Sequence, residues 1–183
     1  MKALSFDPGA HCGWTAARAD KLGQLPEALG IGILDRTHTS GRDARVAEAL
    51  DLLLRFQPDV VFVETVHFVV PRPGMGSDMA GHLSSAARLG GRLYQLADDH
   101  GFAVAEVTAE RWRKIIAGSA QAENARIKGA VLLRYGNWPK TSNNHERDAG
   151  GLCAFGLEVA MRAFRNGAPL TSEALQAAVE ASW

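Results

Sequence analysis

The spacing of apolar and polar positions divides the chain into a strand-rich opening and a helix-rich remainder. Residues 2–7 (KALSFD), 12–18 and 29–35 are short apolar runs joined by short connections, which predicts an antiparallel meander of three strands. The first run ends on Asp7, Pro8 and Gly9, a turn-forming triplet. From Asp43 to Phe56, Val46, Leu50, Leu53 and Leu54 recur at helical spacing, and Pro58 closes the segment. The nearly unbroken run DVVFVE at 59–64 reads as a central parallel strand buried on both faces. A loop carrying Pro71, Pro73, Gly74 and Gly76 leads to a helix over 79–99, with Leu83, Ala87, Tyr94 and Ala97 inward, and then to a strand at 102–107. That unit calls for a right-handed crossover. Thr108 is placed to cap a short helix over 109–116, followed by helices over 122–135 and 144–166. The sum is an α/β fold, a mixed five-stranded sheet with helices on both faces. Residues 1–166 form the domain, and residues 167–183 are expected as a loosely attached helical appendage.

Composition changes this picture little. A chain of 183 residues that is 46% hydrophobic and 22% charged is long enough to bury a core without disulfides or structural zinc. Cys12 and Cys153 stand far apart in no C-x-x-C pair, so both are expected as reduced thiols. The start, MKALSFDPG, has no long apolar core, and no apolar run approaches the roughly 20 residues needed to cross a bilayer. The expectation is a cytoplasmic protein with no membrane partner.

Charge is informative only locally. Lys plus Arg equals Asp plus Glu at 20 each, against the basic excess usual for phosphate binding. Between Thr108 and Arg147, however, Arg111, Arg113, Lys114, Arg126, Lys128, Arg134, Lys140 and Arg147 face only Glu110, Glu123 and Glu146, a net of +5. A solvated helix face is the plainer account of that run; a nucleic-acid surface is the sharper one.

The chemistry is carried by acids at strand ends. Asp7 closes the first strand and Glu64 the fourth. A parallel pairing of the two strands, about 4.8 Å apart, would aim both carboxylates into one crevice at the carboxyl edge of the sheet. Two acids so close repel unless a proton or cation bridges them. His145 and Asp148, three residues apart on the last long helix, share a face and can reach the same crevice. Oxygen ligands from Asp7, Glu64 and Asp148 suit Mg²⁺ or Mn²⁺, and one imidazole makes Mn²⁺ better tolerated. Two such ions about 3.5 to 4 Å apart are a recognised means of phosphodiester hydrolysis. Taken singly, each residue also has a structural reading: Asp7 starting a turn, Asp148 favoured by the helix dipole, His145 on the surface.

Three motifs in series bear a family resemblance. SFDPGAHCGW at 5–14, VVFVETV at 60–66 and HERDA at 145–149 resemble, in order and spacing over about residues 1–160, the acidic motifs of the RuvC-type Holliday junction resolvases of the RNase H-like superfamily. The resemblance implies strand order 3-2-1-4-5, a homodimer, two divalent ions per site, and paired symmetric nicks across a four-way DNA junction. Asp7, Glu64 and Asp148 would be the catalytic carboxylates, and His145 would serve the second metal or position the water. A two-fold symmetric junction is itself best cut by two equivalent sites. DNA contacts are expected from Phe68, Arg72, Arg111, Arg113, Lys114, Lys128 and Lys140, with Phe68 stacking on an unpaired base or, alternatively, packing in the core.

The chain also departs from the family. Asn124 stands where the family often has a lysine, with Lys128 or Lys114 as replacements, and His67 and Phe68 shift the aromatic wedge. Gly150 and Gly151 are expected to let the last helix approach the sheet. Trp14, Trp112 and Trp138 read as packing anchors rather than base-stacking platforms, although Trp112 lies amid Arg111, Arg113 and Lys114, and His11, His82 and His100 form no ligand pattern with one another. The competing functions are a branched-DNA binding protein that does not cut, a nuclease preferring forks and flaps, and an actin-like phosphate-binding domain, for which the chain is too short.

Overall fold

Alternation along the first strand decides how the sheet is used. In β1 (Lys2–Asp7) successive side chains point to opposite faces, so Leu4 and Phe6 enter one apolar layer while Ala3, Ser5 and Asp7 lie on the other side. The computed structural model describes residues 1–9, 11–34, 44–65 and 77–182, with side chains described throughout except at 77–80 and 82. Expectations for Asp43, Phe68, Arg72 and most of the loop after Glu64 lie outside the described residues.

β1 pairs antiparallel with β2 (Cys12–Arg18), which pairs antiparallel with β3 (Glu27–Leu34). After α1 (Ala44–Phe56), β4 (Val60–Thr65) runs parallel to β1 on its other side. α2 (Ser77–Asp99) crosses back, and β5 (Ala103–Thr108) pairs parallel with β4. The order β3-β2-β1-β4-β5 is the one the resemblance implied. α3 (Ala109–Ala117), α4 (Asn124–Arg134), α5 (Asn144–Arg165) and α6 (Ser172–Glu180) complete the chain.

The sheet separates two cores. On one face Leu4, Phe6, Val61 and Val63 meet Leu52 and Leu53 of α1 and Leu89 and Leu93 of α2. On the other, Val60, Phe62 and Val107 meet Trp112 of α3, Ile127 of α4 and Leu152 and Phe155 of α5. Each large side chain so buried contributes about 1.5 to 3 kcal/mol. β4 is apolar toward both layers, as its unbroken run predicted.

Four details differ from the sequence reading. Leu54 is exposed, because it follows Leu53 by a 100° turn and leaves the buried stripe made by Ala49, Leu52 and Leu53. Among the described residues of α2 the buried positions are Ala86, Leu89, Gly90, Leu93 and Ala97, with Leu83, Ala87 and Tyr94 only half-buried. The glycines of α5 do not face the sheet as expected: a Cβ at Gly150 or Gly151 would strike the rings of Trp138 and Trp112, and it is Gly156 that would strike Phe62 of β4. α6 is not loosely attached. Its Leu175 and Val179 are buried in the second core, and Ser172 and Gln176 accept hydrogen bonds from the backbone N–H groups of Val104 and Glu106, closing the free edge of β5. No helix among the described residues is long and apolar enough to cross a membrane.

Candidate active site

Phe6 and Val63 are partners in the parallel ladder, so Asp7 and Glu64 are the next residues on neighbouring strands. By alternation both point to the face covered by α3 and α5, and both are buried, at 9% and 8% exposure. The pairing geometry expected from the sequence is therefore the one present.

The start of α5 is fastened to the same edge. Asn143 caps it reciprocally: its side chain accepts from Glu146 N at 3.0 Å, and the Glu146 carboxylate accepts from Asn143 N at 2.7 Å. Ser5 Oγ of β1 donates to the Ala149 carbonyl at 2.7 Å, and Thr15 Oγ1 of β2 to the Glu146 carbonyl at 3.3 Å. Gly13 of β2 lies where any Cβ would collide with the His145 carbonyl. Two strands thus hold the first turns of α5, which brings His145 Nδ1 to 3.8 Å from Asp7 Oδ2, an ion-pair contact longer than a direct hydrogen bond.

α3 supplies two further contacts through adjacent residues. Trp112 Nε1 donates to Glu64 Oε2 at 2.7 Å, and Arg113 Nη2 pairs with Asp148 Oδ2 at 2.9 Å. The Arg113 guanidinium also lies 5.2 Å from the centroid of the Trp112 ring.

Electrostatics records the crowding. Burial, then the Asp7 charge, pushes the Glu64 carboxyl up to about 8, against the Trp112 hydrogen bond and Arg113. Burial and Asp7 likewise push Asp148 up to about 6, with Arg113 and His145 opposing. Pairing with Asp7 raises His145, although burial works against it. Three carboxylates so close that the Asp7 charge raises both Glu64 and Asp148, with an imidazole beside them, are a donor set that suits a hard divalent cation. As placed, no three His, Cys, Asp or Glu side chains among the described residues enclose a common ion position. Trp112 and Arg113 each hold one carboxylate oxygen.

Asp7, Glu64, His145 and Asp148 are thus brought together, and of the basic candidates Arg113 is the one seen in contact with them. Arg113 touches Asp148; Arg111 and Lys114 share α3 with it, Lys128 lies exposed on α4, and Lys140 is exposed in the turn before α5. Lys128 and Lys140 make no described contact with the four residues. Asn124 is the exposed first residue of α4. Two neighbours escaped the sequence reading. One is the Trp112 indole, whose tie to Glu64 no spacing announces. The other is His11, whose ring centroid lies 5.5 Å from that of His145; only its nearness in sequence to Asp7 hinted at this. Trp138 is the anchor expected, donating to Ser142 Oγ at 2.8 Å.

The fold has clear structural relatives. RuvC of Thermus thermophilus, in a structure with a Holliday junction substrate, superposes with a TM-score of 0.70 and 21% identity over 88% of this chain and 96% of that one. A second Thermus thermophilus RuvC structure gives 0.67 and 20% over the same shares. The yeast mitochondrial Holliday junction resolvase Ydc2 gives 0.55 and 11%, over 97% of this chain and 81% of that one. No family model matches the sequence, and no curated protein matches it. The chain has the RuvC-type, RNase H-like fold.

Proposed function

We propose that this chain is a metal-dependent endonuclease that resolves four-way DNA junctions, acting as a homodimer that nicks two strands symmetrically. The observation that carries the reading is the convergence of Asp7, Glu64, His145 and Asp148, from β1, β4 and α5, on one edge of the sheet, where Asp7 and Glu64 are buried. The fold shared with a RuvC solved on a Holliday junction supports the choice of substrate.

In this reading Asp7, Glu64 and Asp148 hold two Mg²⁺ or Mn²⁺ ions, and His145 serves the second ion or positions the attacking water. The ions, when bound, supply an activated water and neutralise the charge that develops on the phosphate. The chain's own contribution is orientation. β1 and β4 fix two carboxylates at one level, the cap at Asn143 fixes the helix that carries the other pair, and Trp112 excludes water from behind Glu64. Arg113, paired with Asp148 at 2.9 Å, would share that carboxylate with a bound ion and offers its remaining N–H groups to a DNA phosphate. Lys114, Lys128 and Lys140, with Arg111, would contact the DNA backbone, and Phe68 and Arg72 are the further residues proposed to touch the junction.

Purified protein with Mg²⁺ or Mn²⁺ is expected to cut a synthetic four-way junction to 5′-phosphate ends, and Asp7→Asn to bind that junction without cutting it. Cleavage by Asp7→Asn at the wild-type rate would falsify the site assignment.

A second reading is favoured by one observation, the Arg113–Asp148 ion pair, which engages one oxygen of a proposed ligand. It makes the chain a junction-binding protein that does not cut. Tight junction binding with no cleavage in either metal, at any pH tried, selects it.

A further inference from the structure

Trp112 is fully buried, and a buried indole N–H requires a partner. Here the partner is the Glu64 carboxylate, 2.7 Å away. The far side of the same ring occupies a notch in α5: a Cβ on Gly151 would come within 2.5 Å of Trp112 Cζ3. The indole is therefore wedged between the strand that carries Glu64 and the helix that carries His145 and Asp148. Its backbone is fixed as well, because Thr108 Oγ1 caps α3 by accepting from Arg111 N at 3.3 Å. A carboxylate offers two oxygens, and the indole engages only one.

We propose, resting on the metal-site reading above, that Trp112 is a positioning residue for the ion site: its N–H sets the orientation of the Glu64 carboxylate, and Gly151 is the notch that seats its ring. A packing anchor would need only the ring's shape. A positioning residue needs the N–H, since a donor behind a ligating carboxylate typically changes metal affinity by about 10- to 100-fold.

The test separates shape from donor. Trp112 is replaced by benzothienylalanine, an isostere with sulfur in place of N–H, and Mn²⁺ binding to the full chain is followed by the paramagnetic resonance of free Mn²⁺. The isostere is expected to keep the wild-type melting temperature within a few degrees and to bind Mn²⁺ about tenfold more weakly. Trp112→Phe, which also leaves a void, should weaken Mn²⁺ equally and melt earlier. A second measurement needs only native chemistry. Of the indole N–H signals from the four tryptophans, the one lost in Trp112→Phe should move most on adding Mg²⁺. Equal Mn²⁺ affinity in wild type and isostere, or an unmoved Trp112 signal while Mg²⁺ binds, overturns the positioning role and leaves the metal site standing. A wild-type chain that binds neither ion sinks the metal-site reading itself, and the role of Trp112 with it.

Discussion

Glu64 shows what a single position can reveal. An acid at the end of a strand buried on both faces needs a partner wherever it points, and that much was legible in DVVFVE. Its partner in the fold is Trp112, and no pattern of spacing reveals an indole arriving from 48 residues away. The charges also predict a pH dependence. Unfolded carboxyls titrate near about 4, whereas folding raises Asp148 to about 6 and Glu64 to about 8. The folded state therefore binds protons more tightly, and the stability they contribute is complete below the unfolded values and lost as pH climbs toward 8. His145, also raised, acts with the same sign. Melted without divalent ions, the protein should lose several degrees between about pH 5 and pH 8. Mg²⁺ should restore more at the upper end, and Glu64→Gln should flatten the profile. A melting temperature that rises with pH over that range contradicts this assignment of charge.

At the scale of elements, the sheet was more legible than the way α5 is fastened to it. Strand runs and their parallel or antiparallel pairing follow from apolar continuity and loop length. The docking of α5 depends on small residues whose purpose shows only when the elements meet. Gly13 admits the His145 backbone, and Gly150 and Gly151 admit two tryptophans, so glycines read as serving the sheet serve α3 and the Trp138 turn instead. Gly13→Ala should shift the start of α5, cost about 1 to 3 kcal/mol, and reduce cleavage far more than junction binding. An unchanged cleavage rate would mean that His145 does not need its present place. α6 was misjudged because nine residues of modest hydrophobicity look dispensable until β5 is seen to need a cover. Leu175→Ala, at a site 2% exposed, should cost about 2 to 5 kcal/mol in chemical denaturation; a loss under about 0.5 kcal/mol would return α6 to the status of an appendage.

At the scale of the whole molecule, the proposed binding of DNA by a chain of zero net charge has to come from the distribution of that charge. The basic stretch from Thr108 to Arg147 is the proposed DNA surface, so affinity for a junction should fall steeply with salt, about in proportion to the phosphates contacted. Lys128→Ala and Lys140→Ala, each removing one such contact, should lower that slope by about one unit apiece, and an unaltered slope would remove them from the DNA surface. The mixed five-stranded sheet was legible in the alternation of strands and helices, its strand order came from the family resemblance, and the superposition on RuvC agrees with both. The arrangement of side chains around the acids was not legible, since it depends on contacts between α3 and α5 that are local in space and distant in sequence. The account stands on those acids sharing divalent ions. A crystal soaked in Mn²⁺ and measured at the manganese absorption edge tests this most directly. Anomalous density bridging Asp7, Glu64 and Asp148 is the predicted result; manganese bound elsewhere contradicts it.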